Sequence, residues 1–459
     1  MSISSIPSSQ AEYQEWIELP LLELIEPLES GSRPKGGVRG IDSGIPSVGG
    51  EHLTAGGGFN FAKVKFVPKS FYASMRRGHI RRGDILIVKD GATTGKVALV
   101  RDDFPFEEAV VNEHVFIIRP KSDHDSRYIF WYLHSKEGQE RVLEHFQGAA
   151  QGGINQQFAP GTLVPIPPTW DDEVTIADQI DGLVEGLQSP RDRLATIPTL
   201  LKKFRQSVLA AACSGQLTVD WREANPETET GQSIVAHLLT QTQDKKLKIN
   251  SEQPDVDIPE SWAWAAIGRI AAIRGGIQKQ PHRAPKGNAY PYLRVANVGR
   301  NRLDLTEMAY FELASGELET YRLEQGDLLV VEGNGSFSEI GRASIWRNKI
   351  ADCVHQNHII RVRFSRILPE FVNAFWNSPV GIEQVTSTAV TTSGLYSLST
   401  GKIASLMIPV PGRDEQAEIV RRVESLFGLA DSIESRLAEA TAQVERTTQA
   451  ILAKAFRGE

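Results

Sequence analysis

The residues that come nearest to a reaction centre are Gly91-Ala92-Thr93-Thr94-Gly95-Lys96-Val97, a glycine-flanked polar run that follows the apolar segment Ile85-Leu86-Ile87-Val88. A nucleotide-phosphate loop needs four residues between its glycines, so that successive backbone N–H groups wrap the phosphates, and a Ser or Thr after the lysine to hold magnesium. Here three residues separate the glycines and Val97 follows the lysine. A turn that brings backbone N–H groups and a basic side chain to a nucleic-acid phosphate is the better reading. His114, within Asn112-Glu113-His114, and His358, within Gln356-Asn357-His358, have the chemistry of general bases or metal ligands. Neither has a second histidine at ligand spacing. They read either as structural histidines at strand starts or as parts of an amide-rich edge, because Asn and Gln match the paired donor and acceptor of adenine. Cys213 and Cys353 are the only cysteines, which excludes a disulfide framework and a four-cysteine zinc site. No catalytic residue and no metal ligand is predicted.

Charge carries more information than these motifs. The chain has a net charge of −7, yet ten Lys or Arg lie between Lys63 and Arg101 against only Asp84 and Asp90, and eight lie between Arg269 and Arg302 with no acid. Basic residues interleaved with Phe61, Phe66, Phe71 and Tyr72 suit phosphate contacts around a packed domain. The candidate DNA contacts are Lys63, Lys65, Lys89, Thr93, Thr94, Lys96 and Asn112 in the first half. In the second half they are Arg274, Lys279, Arg294, Asn297, Arg300, Arg302, Ser336, Arg342 and Asn357.

These residues are positioned by a unit that occurs twice. Ile176–Gly215 lies ungapped over Ile419–Gly458 with 11 of 40 pairs identical, among them Arg193-Leu194-Ala195 with Arg436-Leu437-Ala438. The register continues upstream, where Gly83-Asp84-Ile85-Leu86 meets Gly326-Asp327-Leu328-Leu329. One residue of slip then pairs His114 with His358 and Pro165-Ile166-Pro167 with Pro409-Val410-Pro411. In the helical part, Ile176, Ile180, Leu183, Leu187, Leu194, Ile197, Leu201, Phe204 and Val208 alternate by fours and threes, as do Ile419, Val423, Leu426, Ala430, Ile433, Leu437, Ala440, Val444, Thr447 and Ile451. That is a coiled-coil seam, and the simplest partner for each stripe is the other copy. Pro190 and Pro198 are expected to kink or split the first helix.

With 459 residues, 41% of them apolar, the chain has length for about three domains, and the fold class predicted is α+β with long helices. The expected organisation is a first globular domain over 1–170, a central helical region over 171–221, a linker over 222–260 carrying one amphipathic stretch from Ile234 to Leu247, a second globular domain over 261–411 and a C-terminal helix over 412–459 that pairs with the central one. A helix of about 35 residues spans about 50 Å, enough to hold two bodies apart. The opening segment lacks a basic start and an apolar core, and no run approaches a membrane span, so a cytoplasmic, non-membrane protein is expected.

Ile197-Pro198-Thr199-Leu200-Leu201-Lys202-Lys203-Phe204-Arg205-Gln206-Ser207-Val208-Leu209, and Asp414-Glu415-Gln416-Ala417-Glu418-Ile419-Val420 with Gln449-Ala450-Ile451-Leu452-Ala453-Lys454-Ala455-Phe456-Arg457-Gly458, resemble the specificity subunits of type I restriction-modification enzymes. The Pro-x-Pro elements before each helix fit the same pattern, although Pro190 interrupts a seam that is usually cleaner. The resemblance implies a non-catalytic reader. Two target-recognition domains would each bind one half of a bipartite double-stranded DNA target in the major groove, separated by an antiparallel pair of long coiled-coil helices acting as a ruler. Two methylation subunits, bringing S-adenosylmethionine and the target adenine, would dock on the helical regions, and restriction subunits with ATP and Mg would join through them. The chain itself would bind no cofactor. Leu183, Leu194, Leu201, Phe204, Val208, Leu426, Ile433, Leu437, Val444 and Ile451 are the expected seam and docking residues. Two alternatives stand beside this: the specificity subunit of a single-chain methyltransferase-nuclease, and a coiled-coil scaffold whose domains bind protein.

Overall fold

The computed structural model describes residues 16–148, 152–241, 252–334, 339–392 and 395–458. The chain forms two compact units, Met1–Ala195 with Ala438–Glu459, and Thr196–Leu437. The first holds β1 (Ile17–Pro20), α1 (Leu21–Leu24), β2 (Glu29–Ser30), β3 (Ile45–Val48), β4 (Lys65–Val67), α2 (Lys69–Ser74), β5 (Ile85–Val88), β6 (Val97–Leu99), β7 (Val110–Val111), β8 (Val115–Ile118), α3 (Ser126–His134), α4 (Lys136–Leu143), α5 (Phe158–Gly161), β9 (Leu163–Ile166) and the start of α6 (Trp170–Cys213). The second continues with the end of α6, α7 (Val219–Ala224), α8 (Gly231–Gln241), β10 (Ala263–Ala266), α9 (Ile267–Ile270), β11 (Ala271–Gly275), β12 (Ala289–Leu293), β13 (Val298–Gly299), β14 (Arg302–Leu303), β15 (Ala309–Glu312) and α10 (Glu317–Tyr321). It is completed by β16 (Leu328–Val331), β17 (Gly333–Asn334), β18 (Ala343–Ile345), β19 (Val354–His355), β20 (Ile359–Phe364), α11 (Pro369–Trp376), α12 (Pro379–Thr388), β21 (Val390–Thr392), β22 (Leu395–Ser397), α13 (Thr400–Ser405), β23 (Met407–Val410) and most of α14 (Arg413–Ala455).

The sequence repeat is a repeat of topology. The first unit has a four-stranded sheet in the order β2-β8-β5-β6, a three-stranded sheet β4-β3-β7 and the pair β1-β9. The second has β11-β20-β16-β18, β15-β12-β19 and β10-β23. In both three-stranded sheets one pairing is parallel, β3 with β7 and β12 with β19. The central strands explain why Ile85-Leu86-Ile87-Val88 and Leu328-Leu329-Val330-Val331 read as unbroken apolar runs. Successive side chains point to opposite faces, and both faces are covered. Ile85 and Ile87 join the core under the helices, while Leu86 and Val88 join the core beneath the second sheet. Leu328 and Val330 divide from Leu329 and Val331 in the same way.

Helices α3 and α11 follow the sheet in each unit and end at a repeated joint. Ser135 Oγ donates to the Tyr132 carbonyl and accepts the Gly138 N–H, and Ser378 does the same between Phe375 and Gly381. A Cβ on Gly138 or Gly381 would stand 2.0 or 2.1 Å from those carbonyl oxygens, so the tight helix-to-helix corner admits only glycine.

The long helices run antiparallel where they meet within each unit. In the second, Arg205 of α6 pairs with Asp431 and Glu434 of α14 at 2.5 and 2.6 Å, and Arg222, beyond α6, pairs with Glu415 at the start of α14. In the first, Arg191 donates to Thr448 Oγ1 at 2.6 Å. Three expectations need correction. The first helix is neither split at Pro190 nor at Pro198, for α6 is continuous from Trp170 to Cys213. Both prolines are exposed, so water can take the carbonyls that lose their N–H partners. The seam is also shifted: Leu183 is 56% exposed, whereas Ile180, a member of the expected stripe, packs into the core together with Ala177 and Val184. There α6 lies against a globular body, whose surface takes Val184 rather than Leu183. Ile433 is likewise 37% exposed, whereas Leu201 and Val208 are buried and Leu194, Phe204, Leu426, Leu437, Val444 and Ile451 are half-buried.

The stretch read as a linker is the third correction. Helix α8 buries Ile234 and Leu238 in the core of the second unit, and its first residue, Gly231, lies so close to the Val410 carbonyl that a Cβ would meet it at 1.7 Å. Of the expected stretch Ile234–Leu247, positions 242–247 lie outside the described residues. The amphipathic stretch is visible in the sequence, but a single helix of 11 residues between polar segments does not show by periodicity whether it packs on a core.

Candidate nucleic-acid interface

The repeated Gly-Asp pair is structural. Gly83 (φ 82°) and Gly326 (φ 93°) turn the chain into the central strand. Asp84 and Asp327 follow, fully buried. Asp84 accepts the Arg81 N–H at 2.7 Å and both arms of the Arg119 guanidinium at 2.7 and 2.8 Å. Asp327 does the same with the Glu324 N–H and Arg363. Each pair ties the central strand to its neighbour and sets where the turns at the other end of the sheet emerge.

Those turns form the candidate edge. In the first unit it comprises the β5–β6 turn and the β7–β8 turn, bridged by His114 Nδ1 to Asp90 at 2.5 Å. In the second, His358 Nδ1 bridges to Glu332 at 3.0 Å across the pseudo-equivalent turns. His114 also has Glu113 within 3.5 Å of its Nε2, and both histidines read as clips between turns. Among the described residues no group of three or more His, Cys, Asp and Glu side chains could hold a metal ion.

The Gly91–Lys96 turn is closed on itself. The N–H groups of Gly91, Thr94, Gly95 and Lys96 go to the carbonyls of Gly152, Gly91, Val88 and Thr93, and the Thr94 hydroxyl donates to Gly91. Lys96 Nζ donates to the Leu53 carbonyl at 3.2 Å. Most donors of this turn are therefore satisfied internally, and Thr93 is its exposed polar side chain. Four candidates of the second half hold their own loops as well. Asn297, 4% exposed, donates to the carbonyls of Asp304 and Glu307 and accepts the Arg294 N–H. Arg294 donates to the Glu307 carbonyl at 3.1 Å and Arg342 to the Val295 carbonyl at 3.0 Å. Arg300 reaches the Ile340 carbonyl at 3.5 Å, and burial pushes its guanidinium below the usual range. Folding brings to these side chains carbonyls that their sequence neighbours do not announce.

Lys63, Thr93, Arg274, Lys279 and Arg302 are exposed. Lys65 is exposed but paired with Glu51 at 2.5 Å, and half-buried Lys89 lies over the Phe116 ring. Asn112 caps its own turn by accepting the His114 N–H, and half-buried Asn357 lies beside His358. Ser336 is outside the described residues. Sequence reasoning passed over the loop between β2 and β3, where Arg33, Lys35 and Arg39 are exposed. The signal was present: it is the repeat mate of the Lys279 loop between β11 and β12.

His355 is a buried histidine of the second unit that the first unit replaces by valine. His355 on β19 stands where β7 has Val111, opposite Leu293 as Val111 is opposite Val48. Its Nδ1 donates to the Ile359 carbonyl at 2.9 Å, and burial pushes its pKa down from 6.5 to about 4. A folded-state pKa below the unfolded one means that the unfolded chain binds the proton more tightly. Stability is then complete above pH 6.5 and is lost as pH falls toward 4, by about 2 kcal/mol at pH 5. Urea unfolding of His355→Val at pH 7 and pH 5 should show a smaller acid loss than wild type; an equal loss would refute the assignment.

Two copies of one sheet-and-helix body, each ending in a polar edge with exposed cations, describe a protein built to bind at two related surfaces. No protein-family model matches the chain. It is 30% identical over 406 residues to the EcoKI specificity subunit of a type I restriction enzyme from Escherichia coli K12, covering 88% of this chain and 80% of the relative. It is 29% identical over 409 residues to the StySPI specificity subunit from Salmonella potsdam, again covering 88% and 80%. A chain in a solved structure addressing complex assembly and conformational transition of the type I R-M system shares the fold, with a TM-score of 0.65 at 18% identity over 96% of this chain and 98% of that one. The chain belongs to the specificity subunits of type I restriction enzymes, the non-catalytic DNA-recognition chains of those systems. Among the described residues no helix is long and apolar enough to cross a membrane.

Proposed function

We propose that each unit reads one half of a bipartite double-stranded DNA target, with domains near 1–170 and 261–411 as the readers and the helices over 171–221 and 412–459 setting the spacer. The observation that carries this reading is the repetition of sheet order and polar edge in one chain. Two related edges on one asymmetric polypeptide suit a target in two unlike halves. They also give two copies of a methylation subunit pseudo-equivalent places to dock on the helices. Those subunits would carry S-adenosylmethionine and methylate adenine, restriction subunits would join through them with ATP and Mg, and the complex would work in the cytoplasm.

Within this reading the exposed Lys63 and Arg302 meet phosphates, and the amides of Asn112 and Asn357 face base edges. Lys63→Ala and Arg302→Ala should each lower the salt slope of DNA affinity by about one and weaken all sequences alike. Asn357→Ala should cost about 1 to 3 kcal/mol and relax one position of the target. The decisive experiment is long-read mapping of methylated adenines in the source genome with and without this gene. Loss of one split motif on deletion establishes the reader; a methylome left unchanged when the expressed gene is deleted overturns it.

A further inference from the structure

The loops from β2 to β3 and from β11 to β12 leave the sheet at corresponding places and have the same chemistry. Gly31 lies against the Val111 carbonyl and Gly276 against the His355 carbonyl, so closely that a Cβ would come within 1.7 and 2.2 Å. Each loop therefore starts beside the turn that carries Asn112 or Asn357. The first holds Arg33, Lys35 and Arg39 against one acid, Asp42; the second holds Lys279, Arg283 and Lys286 against none. Gly36, Gly37, Gly40 and Gly44 all have positive φ, so the first loop is a succession of bends that only glycine adopts readily. Lys35, Arg39, Lys279 and Lys286 are exposed. Arg33 is 66% exposed and touches Glu113 at 3.0 Å.

The second loop is braced from behind. Glu312 accepts the N–H groups of Lys286, Gly287 and Asn288 at 2.9, 3.3 and 3.2 Å, and Arg283 makes two hydrogen bonds to Glu317 at 2.8 Å each. These contacts fix the backbone and engage Arg283, leaving Lys279 and Lys286 as the outward charges. A net-acidic chain that places exposed cations on a loop beside each polar edge, glycine-rich in the first unit and braced in the second, concentrates positive potential there. Its complement is a polyanion. The first loop contains no Asn or Gln, the side chains that read adenine, and its charged groups are point or fork donors suited to phosphate oxygens.

We propose that residues 32–44 and 277–288 are phosphate-gripping arms, one in each unit, that hold the backbone of duplex DNA while the neighbouring turns face the bases. This rests on the DNA-reading function proposed above and adds the elements that supply non-specific grip. The test uses the full chain co-purified with its methylation subunits and two duplexes of equal length, one with the mapped split motif and one without. Salt titrations are compared for wild type, Arg33→Ala/Lys35→Ala/Arg39→Ala, and Lys279→Ala/Lys286→Ala. The triple variant should lose about two to three from the slope and on the order of 100-fold in affinity at 0.1 M salt, equally on both duplexes; the double variant should lose about two. Lys35→Ala/Arg39→Ala keeps the Arg33–Glu113 contact and should still lose about two, which separates grip from loop stability. Unchanged slopes with a binding-competent wild type overturn the arms alone. A loss confined to the motif duplex also overturns them, because it makes the loops base readers. A wild-type complex without salt-dependent affinity overturns the DNA reading itself.

Discussion

Replacing Asp84 by alanine should destabilise the first unit by about 3 to 5 kcal/mol, the effect of leaving a buried guanidinium without its counter-charge. The Asp84 side chain is 1% exposed and Arg119 13% exposed, so little water can replace the lost carboxylate. Arg119 would keep Glu29 at 2.9 Å and the His79 carbonyl at 3.1 Å, which limits the loss without removing it. Asp327→Ala should cost the second unit less, because Arg363 is 28% exposed and retains Glu324. Hydrogen exchange resolved by peptide would locate each effect: deprotection of β5 and β8 in the first variant, and of β16 and β20 in the second. A loss below about 1 kcal/mol for Asp84→Ala would show that the pair is no more than a surface ion pair in energy.

Leu201→Asp should be as severe. Leu201 is 6% exposed on the face of α6 that packs within the second unit, and a carboxylate there loses apolar burial and gains an unpaired charge, about 4 kcal/mol together. The complex should then fail to co-purify with its methylation subunits, because the helical region is the proposed dock. Leu183→Asp is the control. It carries the same residue type in the same apparent stripe but is 56% exposed, so its effect on unfolding should be within about 0.5 kcal/mol. Equal stability losses in the two variants would reject the seam described by the structure in favour of the one read from spacing.

That contrast marks how far periodicity reaches. Leu201 and Val208 were legible because the stripe there coincides with the buried face of α6, Val208 lying in the core of the second unit with Phe204 packed against it. Leu183 was misread because, near Trp170, α6 rests on a globular body, and the choice between Leu183 and Val184 depends on the surface beneath. Pro190 and Pro198 leave the helix unsplit for a related reason: the penalty for a missing N–H depends on whether water reaches the freed carbonyl, and solvent access is a property of the fold.

The polar residues divide in the same way. Lys63, Lys279 and Arg302 are exposed cations in both readings. Lys96, Arg294, Asn297, Arg300 and Arg342 looked equivalent to them, yet each donates to a carbonyl from a distant or looping segment. By itself the sequence determined that the protein is one unit written twice, with buried central strands, paired long helices and no assembled reaction centre. Those properties follow from local order: identity at a constant offset, apolar runs and the spacing of motifs along the chain. Only the tertiary structure decided which cations face outward, which aspartates lock a guanidinium, and that the loop of Arg33, Lys35 and Arg39 stands beside the Asn112 turn. A side chain's partner is chosen by groups far away in sequence, and a long flexible cation has no preference of its own between a carbonyl inside the protein and a phosphate outside it.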